Sequence, residues 1–242
     1  MLMWEAIPKL LSGIYLTIGL TVLSCTLGLI LALVLAMAWL ARSPFLRVPA
    51  SVYMLFFRGT PLLVQIFIVY FGSGQFEWIK GTPLWVLLKQ PFWCAVIALT
   101  MGTTAYTGYI IGGAIKMVPA EMVEAAKALG LPFVDRLRFV VLPLAIRQAL
   151  PAYGNEVILQ LKATSLASTI TLLDLTGVAR ILVSRTYAPY EIFLAAGAIY
   201  LGLTYITTQL LYWGERRLSI ERRMESVMVG GKGSVGNALK HR

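Results

Sequence analysis

Histidine, cysteine and charged residues are scarce in this sequence of 242 residues. His241 is the only histidine, and both cysteines, Cys25 and Cys94, lie in apolar segments, where a thiol behaves as a small hydrophobic group. The sequence therefore contains no zinc-like spacing, no disulfide framework and no nucleophile–base–acid set. We predict that the chain has no catalytic residues, holds no metal and does not hydrolyse ATP by itself.

The shortage of charge indicates a membrane protein. Only 13% of the residues are charged and 58% are hydrophobic, whereas about a quarter of a soluble domain is charged. Residues 10–41, 90–115 and 192–214 contain no Asp, Glu, Lys or Arg, and about 20 apolar residues suffice to cross a bilayer as a helix. We predict an all-α membrane protein with five transmembrane helices. Their predicted positions are 14–40, 52–72, 92–115, 150–170 and 191–213.

The distribution of the basic residues predicts the orientation of these helices. With five spans, the segments on the same side as the C-terminus contain 14 Lys and Arg residues, and those on the other side contain 5. The first set comprises residues 41–51, 116–149 and 214–242, and the second comprises residues 1–13, 73–91 and 171–190. Because cytoplasmic loops carry the excess of Lys and Arg, we predict N-out, C-in. The net charge of +10 is then a topology signal and does not indicate a nucleic-acid partner.

These spans divide the chain into three parts. We expect residues 1–13 to form a periplasmic N-terminus, residues 14–213 a transmembrane domain, and residues 214–242 a flexible cytoplasmic tail. The tail contains the string GGKGS at 230–234, which lacks the glycine spacing and the preceding strand of a phosphate-binding loop.

A charged segment interrupts the apolar chain at about residues 117–148. Pro119 suits the first turn of a helix, and Gly130 suits a helix end in the left-handed conformation. We predict a short helix over 119–129, with Met122, Ala125, Ala126 and Leu129 on one side, and a second helix from near Asp135. Two interpretations are open: a solvated helical hairpin, or a docking element whose small apolar face enters a partner's cleft.

The charged segment resembles the EAA loop of ABC importer membrane subunits. The matching residues are Glu124, Ala125, Ala126, Gly130, Leu142 and Pro143. Val140 stands where the family usually has Ile, which is a mild departure. The resemblance implies that these residues form a coupling helix which rests on a separate ATPase subunit.

Two other stretches resemble the polar amino-acid branch of these permeases, over about residues 10–217. They are Phe57–Leu62, continuing to Gln65, and Asn155–Leu159 with Lys162, Thr164, Ser165 and Leu166. The resemblance implies a type-1 importer half in the bacterial inner membrane, with a second permease subunit, two ATPases and a periplasmic solute-binding protein as partners. ATP and Mg would be bound by the ATPases, so this chain needs no cofactor. The implied substrate is a polar, basic amino acid.

Opine permeases are equally similar in these stretches, so an opine or another small polar solute is an alternative substrate. A channel or transporter that works without an ATPase is an alternative of a different class. It would function without partner subunits, and the match to the EAA loop argues against it.

The fourth span carries polar residues that predict a substrate pathway. At 100° per residue, Glu156, Gln160, Thr164 and Ala167 share one face, whereas Asn155 and Lys162 lie on the neighbouring face. An amino-acid ammonium group needs acceptors such as Glu156 and Asn155, and a carboxylate needs donors such as Lys162, Thr164 or Ser165. The alternative role is hydrogen bonding between helices at a dimer interface.

Breaks in the second and fourth spans are also predicted. Gly59 and Pro61 are expected to loosen the second span beside Arg58, which is either part of the pathway or an anchor that extends to the membrane surface. The fourth span is expected to end or break near Thr164–Ser165. Asp174, Arg180 and Arg185 are expected in a solvated periplasmic loop, where they are candidates for touching the binding protein.

Overall fold

The computed structural model describes residues 2–218, and every regular element in that range is helical. The helices are α1 (Leu2–Leu11), α2 (Ile14–Leu40), α3 (Pro44–Gly59), α4 (Leu62–Phe67), α5 (Glu77–Lys80), α6 (Trp85–Leu88), α7 (Pro91–Lys116), α8 (Ala120–Ala128), α9 (Phe133–Arg136), α10 (Leu142–Ala163), α11 (Leu175–Thr186) and α12 (Pro189–Leu218). Two π-helical turns, Ile68–Gly72 and Leu137–Val141, follow α4 and α9, and a 3₁₀ helix, Thr164–Ile170, follows α10. The string at 230–234 and His241 lie outside the described residues.

Candidate membrane spans coincide with all five predicted segments. Within residues 2–218, three uninterrupted stretches are long and apolar enough to cross a membrane: Ala6–Leu40, Pro91–Lys116 and Pro189–Arg216. Two more candidates are bent pairs, which are Pro44–Gly59 with Leu62–Gly72 (104°) and Phe133–Ile170 with Leu175–Thr186 (48°). The described chain thus has three candidate spans, or up to five if each bent pair is one span. The number five and the orientation stay predictions.

The predicted break in the second span is present and has a local cause. Helix α3 ends at Gly59, and both Thr60 and Pro61 are extended before α4 begins. Proline disfavours the helical conformation of the residue before it, so Thr60 leaves the helix. The Gln65 amide nitrogen then stabilises the break, since it donates to the carbonyl oxygens of Phe57 and Thr60 and to the Thr60 hydroxyl at 2.9–3.1 Å.

The predicted change near Thr164–Ser165 is also present. The α-helix α10 ends at Ala163 and continues as the 3₁₀ helix Thr164–Ile170, which ends at Thr171 in the left-handed conformation (φ 69°). The Thr164 hydroxyl donates to the Leu161 carbonyl oxygen at 2.7 Å, and the Ser165 hydroxyl donates to the Lys162 carbonyl oxygen at 2.7 Å. Both hydroxyls therefore bond to the preceding turn of their own helix.

Asp174 corrects the prediction of a solvated loop. It is fully buried and caps α11, because its carboxylate accepts hydrogen bonds from the backbone nitrogens of Thr176 (3.1 Å) and Gly177 (3.0 Å). The Tyr200 hydroxyl donates to the same carboxylate at 3.2 Å. A helix that begins inside the protein needs such an acceptor for its free N–H groups. Asp174 is thus unable to touch a binding protein, whereas Arg180 and Arg185 are exposed.

The centre of the bundle is the contact between α2 and α7, which depends on small residues. A Cβ atom at Gly108 would lie 3.2 Å from side-chain atoms of both Leu35 and Met54, and one at Gly112 would overlap the Trp39 ring. Small residues let helices approach closely, and Gly108 and Gly112 provide this on α7.

Helices also cover parts of both ends of the described chain. Helix α1 lies in the segment predicted to be the periplasmic N-terminus, and it packs against α11 and α12 through the apolar side chains of Ala6 and Leu10. At the other end α12 continues to Leu218, beyond the expected start of the tail at residue 214.

Candidate functional sites

A cavity of about 230 Å³ lies between α3, α4, α7 and α10. Helix α10 contributes Glu156 and Gln160, the break in the second span contributes Thr60 and Gln65, and α7 contributes Tyr106. The remaining lining residues are apolar or glycine: Phe57, Leu62, Gly102, Leu159 and Ala163. The helix break thus creates space and supplies polar groups at the same place.

Glu156 is the acidic residue of this cavity. It is only 7% exposed, yet no hydrogen bond from residues 6–216 reaches its carboxylate. Among the side chains of those residues, the sole ion pair joins Lys80 to Glu77 at 3.0 Å, so none of their basic groups is within 4 Å of the Glu156 carboxylate. Arg58 is a basic residue near the same cavity, because its guanidinium lies 5.6 Å from the ring of Tyr106, which belongs to the lining. Burying a carboxylate without a hydrogen-bond donor is costly, and an ionisable residue inside a membrane span marks a candidate functional site.

The two glutamines of the cavity use their donors inside the protein. The amide nitrogen of Gln160 donates to the Ser24 hydroxyl (3.0 Å) and to the Leu99 carbonyl oxygen (3.3 Å). The amide nitrogen of Gln65 bonds to the helix break, while its carbonyl oxygen is buried and has no partner among the described residues. The cavity therefore offers unpaired acceptors, and a group that donates hydrogen bonds fits it.

The predicted pathway residues on α10 separate onto two faces. Glu156, Gln160, Thr164 and Ala167 are all buried, as their common face predicts. Asn155 and Lys162 are exposed and do not line the cavity, because they project from another side of the helix. Ser165 is half-buried and also lies outside the lining. Glu156 and Lys162 do not pair, in agreement with their angular separation of about 240°.

Arg58 stands at the edge of the cavity, and its guanidinium lies over aromatic rings. The Cζ atom is 3.7 Å from the ring centroid of Tyr109 and 5.6 Å from that of Tyr106. The Tyr106 hydroxyl donates to the Arg58 carbonyl oxygen at 3.4 Å. Arg58 is therefore neither inside the cavity nor paired with a carboxylate.

Sequence reasoning did not assign Thr60, Gln65 and Tyr106 to the pathway. A signal was present for the first two, since both lie within the quoted stretch that resembles amino-acid permeases. No spacing rule links Tyr106 to Glu156, because they are on different helices. Their proximity follows from the packing of α7 against α10.

The predicted coupling segment forms α8, which ends at Ala128, and Gly130 lies just beyond this helix end as expected. Gly130 has φ 75°, the Gly130 nitrogen donates to the Lys127 carbonyl oxygen at 2.9 Å, and the Leu131 nitrogen donates to the Ala126 carbonyl oxygen at 3.1 Å. This pair of bonds is a Schellman motif, in which glycine adopts the left-handed conformation without steric cost. Leu142 and Pro143 begin α10, so the whole matched segment links α7 to α10.

The exposed face of α8 differs from the expected one. Ala126 is only 4% exposed, because α8 rests on the bundle, where Val123 packs against Ala114 and Ala145. Ala126 therefore faces the bundle in this structure, and its predicted place on the docking face stays a prediction. Ala125 and Glu124 are exposed, and so are Met122 (49%) and Leu129 (80%).

Comparison with known proteins shows the family. A family model described as the inner membrane component of binding-protein-dependent transport systems matches residues 6–220. This chain belongs to that family. It is 47% identical over 221 residues to the octopine transport system permease protein of Rhizobium meliloti, which covers 91% of this chain and 90% of that protein. It is 41% identical over 207 residues to the histidine/lysine/arginine/ornithine transport system permease protein of Salmonella typhimurium, which covers 85% and 88%.

A solved structure confirms the fold. The chain resembles a protein chain in the crystal structure of an amino acid ABC transporter with histidines, with a TM-score of 0.80 and 35% sequence identity. The match covers 89% of this chain and 96% of the chain in that crystal structure. The predicted fold class, a helical type-1 ABC importer transmembrane domain, is confirmed. The chain is a permease component of a transporter complex, and its relatives are permeases for amino acids and opines.

Proposed function

We propose that this chain is the multi-pass permease subunit of an ATP-driven importer that carries cationic amino acids or opines across the bacterial inner membrane. The family description and the likeness to amino-acid and opine permeases support this proposal. Octopine and arginine carry a guanidinium group, and histidine, lysine and ornithine carry other basic groups. A cation is thus the chemical feature that the substrates named for these relatives have in common.

The unpaired acceptors of the cavity support a cationic substrate. Glu156 supplies a carboxylate without a hydrogen-bond donor, and Gln65, which lines the same cavity, has a side-chain carbonyl oxygen that is buried and unpaired within the described chain. An ammonium or guanidinium group would donate to both. Because Asn155 and Lys162 lie on the exposed side of α10, we assign the substrate's cationic end to Glu156 and give these two residues no part in its binding. Gln160 fixes the surrounding helices, and Arg58 lies at the edge.

Transport in this proposal requires other subunits. Two separate ATPases bind ATP and Mg and hydrolyse the nucleotide, a second permease of the same kind completes the pathway, and a periplasmic binding protein delivers the substrate. The contact with one ATPase is assigned to α8 and the turn after it, through Glu124, Ala125 and the exposed Met122 and Leu129. Gly130, Leu142 and Pro143 set the direction of this segment relative to α7 and α10. The chain itself performs no covalent chemistry.

The role of Glu156 is tested by Glu156→Gln in the assembled importer. The change keeps the size of the side chain and removes its charge. A hydrogen bond to a charged group contributes about 1.5–3 kcal/mol, so we expect the KM for arginine uptake to rise about 10- to 100-fold. The matched control is Glu77→Gln, because Glu77 is an exposed acid outside the cavity. Uptake by proteoliposomes containing the whole complex measures both. An unchanged KM in Glu156→Gln would overturn the proposed site.

A further inference from the structure

A row of cationic and aromatic side chains runs along α7 towards the cavity. At the end of the row next to α8, the Lys116 Nζ atom lies 3.5 Å from the ring centroid of Trp39. The Trp39 ring lies 5.5 Å from the ring of Tyr109, with 30° between the planes. The Arg58 guanidinium follows, 3.7 Å from Tyr109. Each cation is inside the distance of about 6 Å at which a ring face attracts a cation.

The row ends beside the candidate binding cavity. Tyr106 lines the cavity together with Glu156, and the Arg58 guanidinium also lies 5.6 Å from the Tyr106 ring. Arg58 forms no ion pair with Glu156, but opposite charges attract each other over longer distances, and more strongly where the surroundings exclude water. One guanidinium is thus attracted by two competing features, the faces of the tyrosine rings and the buried carboxylate.

Arg58 carries the same kind of charged group as the proposed substrate. A group attached by a short tether has an effective concentration in the millimolar range, and a guanidinium matches a carboxylate in geometry. If Arg58 were free to turn, it would compete with an incoming cation for Glu156. In the structure the ring closest to the Arg58 guanidinium is that of Tyr109. The Tyr109 ring in turn packs against the Trp39 ring, whose face carries the Lys116 ammonium group.

We propose that Tyr109 is a positioning residue that holds the Arg58 guanidinium outside the cavity, so that Glu156 stays available to a cationic substrate. The inference rests on the proposed role of Glu156. It requires the face of the Tyr109 ring and does not require its hydroxyl group, which makes no hydrogen bond among the described residues. Tyr109 itself does not line the cavity.

This inference predicts a specific pattern of kinetic effects. An internal competitor raises the KM for the substrate and leaves the maximal rate unchanged, because saturating substrate displaces it. Tyr109→Leu should raise the KM for arginine about 2- to 30-fold, the factor that corresponds to one cation–π contact. Tyr109→Phe keeps the ring face and should behave as the original protein. In the double variant Tyr109→Leu with Arg58→Gln, the KM should return to that of Arg58→Gln alone.

The experiment measures arginine uptake by proteoliposomes that contain the complete importer. A double variant that keeps the raised KM would overturn the inference, since Tyr109 would then act through packing alone. A Tyr109→Phe variant that behaves like Tyr109→Leu would overturn it as well. If Tyr109→Leu does not assemble, Tyr109→Met carries the same prediction, because methionine is also apolar and has no ring face.

Glu156→Gln in the same preparation separates this inference from the proposed function. If Glu156→Gln raises the KM and Tyr109→Leu does not, the proposed binding site is supported and the positioning role of Tyr109 is disproved. If Glu156→Gln leaves the KM unchanged, the proposed site fails, and the inference about Tyr109 fails with it.

Discussion

The side-chain amide of Gln160 donates a hydrogen bond to the hydroxyl of Ser24 at 3.0 Å, which joins α10 to α2 beside the cavity. The same nitrogen donates to the Leu99 carbonyl oxygen of α7 at 3.3 Å. Three helices therefore meet at one amide group, directly next to Glu156 on the same face of α10. The amide nitrogen of Gln160 therefore makes its hydrogen bonds within the protein, and these bonds hold the part of α10 that carries Glu156.

Removing this junction should destabilise the permease. We expect Ser24→Ala to cost about 0.6 kcal/mol and at most about 1.7 kcal/mol, the average and the maximum for hydrogen bonds between membrane helices. Gln160→Leu should cost at least as much, because it removes the bonds to both α2 and α7. Reversible unfolding of the purified permease in mixed micelles measures both changes. The double variant should be less destabilised than the sum of the two, and full additivity would show that the bond contributes nothing.

The contact between α2 and α7 predicts opposite results for two adjacent glycines. A Cβ atom at Gly112 would overlap the Trp39 ring, whereas one at Gly113 would have no atom within 4 Å. Gly112→Ala should therefore force α2 and α7 apart and lower the melting temperature of the permease. Gly113→Ala should raise stability slightly, by up to about 1 kcal/mol, since alanine is the better helix former. Thermal unfolding in detergent compares them, and equal effects would contradict this packing.

The helical segments could be predicted from the sequence because a helix that crosses a membrane requires a long apolar stretch, which is visible in the sequence itself. Long stretches without charge predicted the spans, and Gly59 with Pro61 predicted the break that the structure has at Thr60. Gly130 predicted a left-handed helix end, which has φ 75°. In each case the cause is local to the chain, either hydropathy or the backbone preference of one residue.

The cavity could be predicted only in part, because its members come from different helices. Periodicity placed Glu156 and Gln160 on a buried face, but it could not show that Lys162 is exposed while Tyr106 is close. The burial of Ala126 and Asp174 could not be predicted for the same reason. A short apolar or acidic side chain suits either an exposed surface or an internal contact, and the packing of neighbouring helices determines which of the two it has.

Gly130 should be essential for the direction of the coupling segment. A β-branched side chain in the left-handed conformation is strongly disfavoured, at a cost of at least about 1–2 kcal/mol. Gly130→Val should therefore move the turn after α8, and we expect loss of both ATPase copurification and uptake. Gly130→Asn is the matched control, because asparagine tolerates this conformation, and it should keep most of both activities. Survival of both in Gly130→Val would disprove the docking role.

The orientation of the chain can be tested with single cysteines, because both native cysteines are buried. Lys127 on α8 is exposed, and so is Gln75 in the connection before α5. With N-out, C-in orientation, the Lys127→Cys thiol faces the cytoplasm and the Gln75→Cys thiol faces the periplasm. A membrane-impermeant maleimide should then label Gln75→Cys in spheroplasts and Lys127→Cys only in inside-out vesicles. Labelling of Lys127→Cys in spheroplasts would place α8 on the periplasmic side, where no ATPase could reach it, and the coupling role of this helix would be excluded.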